Sequence, residues 1–282
     1  MAKVAVVTDS TATIPKDIME QYPLWEVPQV LIFGEEMLED RVDIQPNEFY
    51  ERLEIDPPHP TTSQVTPASF NKIYDQLLGE GYDILAVLVS PKLSGTIKSA
   101  NQAKENFPGA AIEVFDSESV AMGLGWQALM AARAAKDGAS LAECKEVVEK
   151  AKPMTGVVFV ADTLEYLHRG GRIGTGAKYL GTALQTKPIF EVRDGMLEAL
   201  ERVRTRKKSL ARVIRLVEER INGRTPLHLA ALHAKAEEDA RWLLDVGCAH
   251  LHPDEKIYSE VSPVVGTHGG PGVVGLAFLA GM

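Results

Sequence analysis

The stretch 83-DILAVLVSPKLSGTIKSA-100 runs apolar from Ile84 to Val89, turns polar at Ser90, and then takes on helical spacing through Ala103. A β-branched apolar run of this length, closed by Pro91 and Gly95, is a strong strand signal. The same succession occurs twice more. Val4 to Val7 reads as a buried first strand ending at Asp9 and Ser10, and Ile112 to Phe115 ends at Asp116 and Ser117 before an alanine-rich helix. Strand, polar end and helix repeated as a unit predict a parallel sheet in an αβα domain, with the polar strand ends gathered on one edge.

Working outward, Trp25 to Phe33 carries further strand signal, and helical spacing returns at Phe49 to Leu53 and Phe70 to Leu78. A second region opens near 153-PMTGVVFV-160. It holds a glycine-rich basic turn, 168-HRGGRIGTG-176, and 186-TKPIFEV-192 leading to a hairpin at Asp194 and Gly195. Asx-Gly pairs suit such tight turns. An amphipathic helix through Leu210, Ile214, Val217 and Ile221 follows, then a strand within 225-TPLHLAALH-233, and last a glycine-rich turn between apolar runs in 261-VSPVVGTHGGPGVVGLAFLAG-281. The expected division is an α/β chain of two domains, about 1–150 and 151–282.

With 282 residues and a formal net charge of -9, the chain has length for a substantial core and a charge that disfavours broad nucleic-acid or anionic-membrane binding. The dense basic segment 202-RVRTRKK-208 is a solvated surface or a docking patch for an acidic partner. Two cysteines, Cys144 and Cys248, without CxxC spacing predict no disulfide framework and a reducing compartment. The N-terminal apolar run meets Thr8, Asp9 and Ser10 too early for a signal or membrane helix, so a cytoplasmic protein without an integral membrane segment is expected.

Polar candidates cluster in loops. The proline-rich 56-DPPHP-60 leads to 61-TTSQVTP-67, where Thr62 and Ser63 stand before a helix expected near Pro67. Ser94, Gly95 and Thr96 occupy the equivalent place after the strand at 83–90. Hydroxyls and free N–H groups at a helix start can hold an anion without a metal, and the same residues can simply cap the helix. Both readings stand. His268, within 266-GTHGGPG-272, offers one donor when neutral and a charge when protonated. Arg172 follows two glycines on a turn expected to be exposed, where its planar five-donor head suits a carboxylate, a phosphate or a partner protein. Dinucleotide, P-loop and GxSxG signatures are absent, and the histidines form no zinc motif. Asp9 and Asp116 are expected to serve strand-end turns, not a metal.

Taken in order, 8-TDST-11, 62-TSQVTP-67, 90-SPKLSGTIKSA-100, 115-FDSESVAMGLG-125, 168-HRGGRI-173, 186-TKPI-189 and 266-GTHGGPG-272 resemble the DegV family of bacterial fatty-acid-binding proteins across nearly the whole chain. The resemblance implies an αβα N-terminal domain with a parallel sheet and a mixed-sheet α/β C-terminal domain, with a long-chain fatty acid between them. Thr62 and Ser94 would be direct headgroup ligands and His268 a third carboxylate contact, with Ser63, Gly95 and Thr96 shaping that end. Arg172 would communicate with a separate ATP-dependent fatty-acid kinase, apart from the ligand set. The chain would then be a carrier, not an enzyme, without cofactor or metal of its own, presenting a carboxylate for acyl phosphate formation and phospholipid metabolism. Val65, in 64-QVTP-67, departs from the small polar residue usual after this motif. An autonomous enzyme for a small phosphorylated or carboxylated metabolite, and a lipid-sensing regulatory protein, remain the alternatives.

Overall fold

A computed structural model describes residues 3–55, 59–180 and 186–282. The first part of the proline-rich approach, 56–58, lies outside the described residues. In chain order the elements are β1 (Lys3–Asp9), α1 (Lys16–Met19), β2 (Leu24–Val27), β3 (Val30–Phe33), β4 (Glu36–Glu39), α2 (Pro46–Ile55), β5 (Thr61–Ser63), α3 (Pro67–Gly79), β6 (Tyr82–Leu88), α4 (Thr96–Lys104), β7 (Ile112–Asp116), α5 (Met122–Lys136) and α6 (Leu141–Ala151). Then come β8 (Thr155–Val160), α7 (Glu165–Arg169), β9 (Lys187–Arg193), β10 (Met196–Val203), α8 (Arg206–Ile221), β11 (Leu227–His233), α9 (Glu237–Leu251), β12 (Glu255–Glu260), α10 (Pro263–Gly269) and β13 (Val274–Ala280).

Among the described residues the strands form three sheets. The first, in order β2-β1-β6-β7, is wholly parallel. The chain leaves β1 toward β2 on one side and leaves β6 toward β7 on the other. Loops after β1 and β6 therefore part and leave a crevice at the strand ends, the usual ligand position in such sheets. A six-stranded mixed sheet, β10-β9-β8-β13-β11-β12, takes all its strands from beyond residue 150. The Asp194–Gly195 hairpin joins β9 and β10 with both residues at positive φ, as the sequence predicts.

Sequence periodicity missed two divisions. The apolar run Trp25 to Phe33 is cut in two, with β2 in the parallel sheet and β3 in a separate antiparallel sheet of order β4-β3-β5. The break falls at Pro28 and Gln29, where proline cannot donate to a ladder, but that interruption does not show that the chain changes sheets. The end segment around His268 is the short helix α10, not only a glycine turn, because Ser262 caps it, Pro263 starts it and Gly270 ends it at φ 78.

α5 is buried on nearly every side and packs against β1 of the parallel sheet and against β8 and β13 of the mixed sheet. One apolar cluster consequently runs from Val4 and Val6 through Trp126 and Leu129 to Ala277 and Leu279. α8 and α9 cover the opposite face of the mixed sheet, where Leu210, Val217 and Leu243 meet Val158, Leu229 and Leu276. Arg133 of α5 adds a paired contact to Glu255 of β12, with Nη1 2.9 Å and Nη2 2.6 Å from the carboxylate. No helix among the described residues is long and apolar enough to cross a membrane.

The helix approaches β8 through bare backbone at Gly123, where a Cβ would lie 2.5 Å from Val157 Cγ2 and 2.3 Å from Ser119 Oγ. A methyl group there must push α5 away from the sheet. Gly123→Ala is expected to lower unfolding free energy by roughly 1–3 kcal/mol in urea titration; unchanged stability would contradict this packing.

Candidate functional site

The segment 61-TTSQVTP-67 divides its labour in a way composition does not reveal. Thr66 is the helix cap, its hydroxyl accepting from Ser69 N at 3.1 Å, with Pro67 in the first turn of α3. Thr62 and Ser63 lie in β5 instead, registered against Leu31 and Val30. Capping therefore does not account for them. Ser94 is likewise no cap: Gly95 precedes α4 without a side-chain cap, and Ser94 Oγ lies 2.9 Å from Thr96 Oγ1. Thr96 is fully buried and holds Ser94 from behind.

Gln64 brings these two segments together. Its Nε2 donates to Ser99 Oγ at 2.9 Å, and its amide lies so close over Gly95 that a Cβ there would be 1.9 Å from Gln64 Oε1. From the other half of the chain, α10 brings His268 Nε2 to 2.8 Å from Thr62 Oγ1. Arg172 reaches the same place. It is half-buried, not exposed as expected, with Nε donating to Leu93 O at 3.0 Å and Nη1 to Gly170 O at 2.6 Å.

These groups border a cavity of about 270 Å³ lined from both halves of the chain. Thr62, Ser63, Gln64, Ser94, Gly95, Arg172 and His268 form its polar end. Val89, Val120, Val157, Phe159, Val192, Leu197, Leu232, Val261 and Val264 make much of the rest apolar. Arg172, placed apart from the ligand set by the sequence, thus shares its wall with Thr62 and Ser94.

His268 is held neutral. Burial, then the nearby Arg172 and His59, bring its pKa down to about 4. An imidazolium pairing with a carboxylate, one of the two states its sequence context allows, is thereby disfavoured. Its Nδ1 is buried without a hydrogen-bond partner. An orphaned acceptor is less costly than an orphaned N–H, so the proton belongs on Nε2, donated to Thr62 Oγ1. That leaves the Thr62 hydroxyl proton free to point into the cavity.

A second polar set gathers around Asp9 and Asp40, of which the sequence marked only Asp9, and that for a strand-end turn. Asp9, fully buried, accepts from Thr11 N at 3.1 Å, Thr11 Oγ1 at 2.5 Å and Gln29 Nε2 at 3.2 Å on one oxygen, and from Val89 N at 2.9 Å on the other. Asp40 accepts from Ser10 Oγ at 2.6 Å and from Val264 N at 3.2 Å, tying the end of β1 to the helix that carries His268. Burial pushes Asp40 up to about 6. The acid-hydroxyl pair at 9–10 carried only a turn signal, since a buried network leaves no local spacing rule. Asp116 does not join Asp9; it accepts from Glu118 N at 2.8 Å in its own turn. Among the described residues no three His, Cys, Asp or Glu side chains gather where they could hold a metal ion.

A family model described as an uncharacterised protein of the DegV family matches residues 3–281. The chain belongs to the DegV family. A DegV domain-containing protein of Streptomyces coelicolor is 36% identical over 280 residues, covering 97% of each chain. A DegV family protein from Thermus thermophilus, described by its fatty-acid binding, shares 31% identity over 99% of both chains with a TM-score of 0.93. DegV of Bacillus subtilis, described as a fatty acid binding protein, shares 32% identity with a TM-score of 0.88, covering 99% of this chain and 100% of the other. The parallel and mixed sheets described above are the DegV architecture that the sequence resemblance implied.

Elsewhere the basic segment of this DegV chain spans the end of β10 and the start of α8, where Arg206 pairs with Asp162 at 3.2 Å and Asp239 at 2.6 Å. Cys144 is buried in α6, its thiol pushed up to about 11 by burial and by Glu143, and Cys248 is also free.

The His268 assignment has a signed consequence. Its folded pKa lies below the unfolded value, so the unfolded chain binds more protons between about pH 4 and 6.5. Stability contributed by neutral His268 is therefore complete above that window and is lost as pH falls through it. His268→Gln should flatten the pH dependence of unfolding free energy there; slopes equal to those of the parent protein would contradict a neutral, buried imidazole.

Proposed function

We propose that this DegV chain binds a long-chain fatty acid in the cavity and presents its carboxylate to a separate ATP-dependent fatty-acid kinase. The observation that carries the reading is one cavity, apolar over most of its wall, that ends at Thr62, Ser94 and a neutral His268. An alkyl chain gains about 0.8 kcal/mol per buried methylene, so the tail supplies most of the affinity. The carboxylate needs donors, because burying it uncompensated is costly. Thr62, which accepts from His268 and so keeps its own hydroxyl proton to give, and Ser94, braced by Thr96, supply charge-assisted hydrogen bonds, with Ser63 and Gly95 shaping the same end.

The carrier needs no cofactor or metal of its own for this task; the kinase supplies nucleotide and phosphoryl-transfer chemistry. Acyl phosphate formed this way would enter phospholipid metabolism in the cytoplasm. Arg172 sits at the polar end with its guanidinium spanning two backbone carbonyls, which suits a group that meets the kinase there. Hydrolysis by the Thr62–His268 pair is the less favoured reading. A catalytic base of that type is oriented by an acid on its far nitrogen, and His268 Nδ1 has no such partner.

Gentle purification followed by native mass spectrometry should show the protein with a fatty acid retained; protein that is empty and also refuses added fatty acid would refute the carrier. Thr62→Val and Ser94→Ala should each weaken binding roughly tenfold, the scale of one hydrogen bond to a charged group. Arg172→Ala should impair transfer with the kinase more than it impairs binding, and equal losses in the two assays would contradict its assignment.

A further inference from the structure

Gln29 and Thr11 line the cavity at 3% and 4% exposure, in a wall that is otherwise largely aliphatic. Both are oriented by the same carboxylate. Asp9 accepts from Gln29 Nε2 at 3.2 Å and from Thr11 Oγ1 at 2.5 Å. A carboxylate ringed by donors admits only the amide nitrogen of Gln29, so the amide oxygen is turned away from Asp9. Asp9 takes one Nε2 hydrogen of Gln29, which leaves the amide oxygen and the second Nε2 hydrogen to face the cavity that Gln29 lines. Thr11 has committed its only hydroxyl proton to Asp9 and keeps lone pairs free. The pair therefore presents acceptors together with the one Nε2 hydrogen that Asp9 does not take.

The position is fixed by register. Gln29 immediately precedes β3, whose Val30 and Leu31 pair with Ser63 and Thr62. It lies two strand residues from the partner of Thr62, about 7 Å along the sheet, which separates it from the carboxylate end. An unsubstituted alkyl chain laid over a buried amide oxygen leaves that oxygen without its hydrogen bond, whereas a chain hydroxyl supplies one.

From this we infer that Gln29 and Thr11 form a second polar station in the cavity wall, one that takes a hydroxyl group carried on the acyl chain and so selects hydroxy fatty acids. The inference rests on the fatty-acid reading and names a substrate class within it. Because the station offers acceptors and one donor, a hydroxyl can both give and take a hydrogen bond there, whereas a ketone can only take one.

The test is calorimetric binding of stearate, a positional series of monohydroxystearates and the matching oxostearates to the full chain. At least one hydroxy isomer should bind roughly tenfold tighter than stearate, as sites built to pair a hydroxyl discriminate strongly, and its oxo counterpart should fall between the two. Gln29→Met keeps the side-chain length and removes the acceptor, so it should bring the hydroxy-to-plain ratio close to one. Should that variant fail to fold, the hydroxy-against-oxo comparison in the parent protein still decides. Stearate binding with flat ratios across the series would overturn the station alone. Failure of stearate and every derivative to bind would remove the fatty-acid reading and the station with it.

Discussion

The hydrogen bond between Thr62 Oγ1 and His268 Nε2 joins residues 206 positions apart, and the geometry of the site depends on it. It forms only when β5 pairs with β3 in the observed register and α10 is anchored so that its last turn reaches that sheet. Asp40 provides the anchor from the other end of α10 through Val264 N. The site is thus not a loop motif added to a finished scaffold. It is the meeting point of two sheets and one short helix, held where the strand ends of the parallel sheet diverge.

Electrostatics at this meeting point follow from burial. A histidine kept neutral by its surroundings and by Arg172 donates a proton without adding charge to the cavity. Its threonine partner is then free to donate onward. A carboxylate placed there meets oriented neutral donors with a guanidinium nearby, while the aliphatic wall excludes water from the chain behind it. In the proposed fatty-acid reading, chain burial would provide the larger free energy and the donors would fix direction, so that affinity and orientation would come from different parts of one cavity.

Much of this was legible in the sequence, and the failures have physical causes. Strand, polar end and helix at 83–104 announced the parallel sheet because three local periodicities agreed. Thr62, Ser94 and His268 emerged from ordered family-like motifs, and the structure brings all three to one wall. The role of Thr66 as the cap of α3 was invisible, since Thr62, Ser63 and Thr66 are equally competent hydroxyls and only the β5 pairing separates them. Arg172 was expected on an exposed turn because flanking glycines carry no information about what packs over them. Gln29 and Asp40 escaped notice because their partners, Asp9 for one and Ser10 and Val264 for the other, are distant in sequence and no spacing rule connects them, while Thr11 binds Asp9 two residues away and showed only as part of a turn.

The most direct test is a crystal structure of the chain with a long-chain fatty acid bound. The account predicts carboxylate oxygens within hydrogen-bonding distance of Thr62 Oγ1 and Ser94 Oγ, His268 Nε2 still on Thr62, and the alkyl chain running between Val89 and Val157. A carboxylate bound away from these hydroxyls, or an alkyl chain lying outside this cavity, would contradict it.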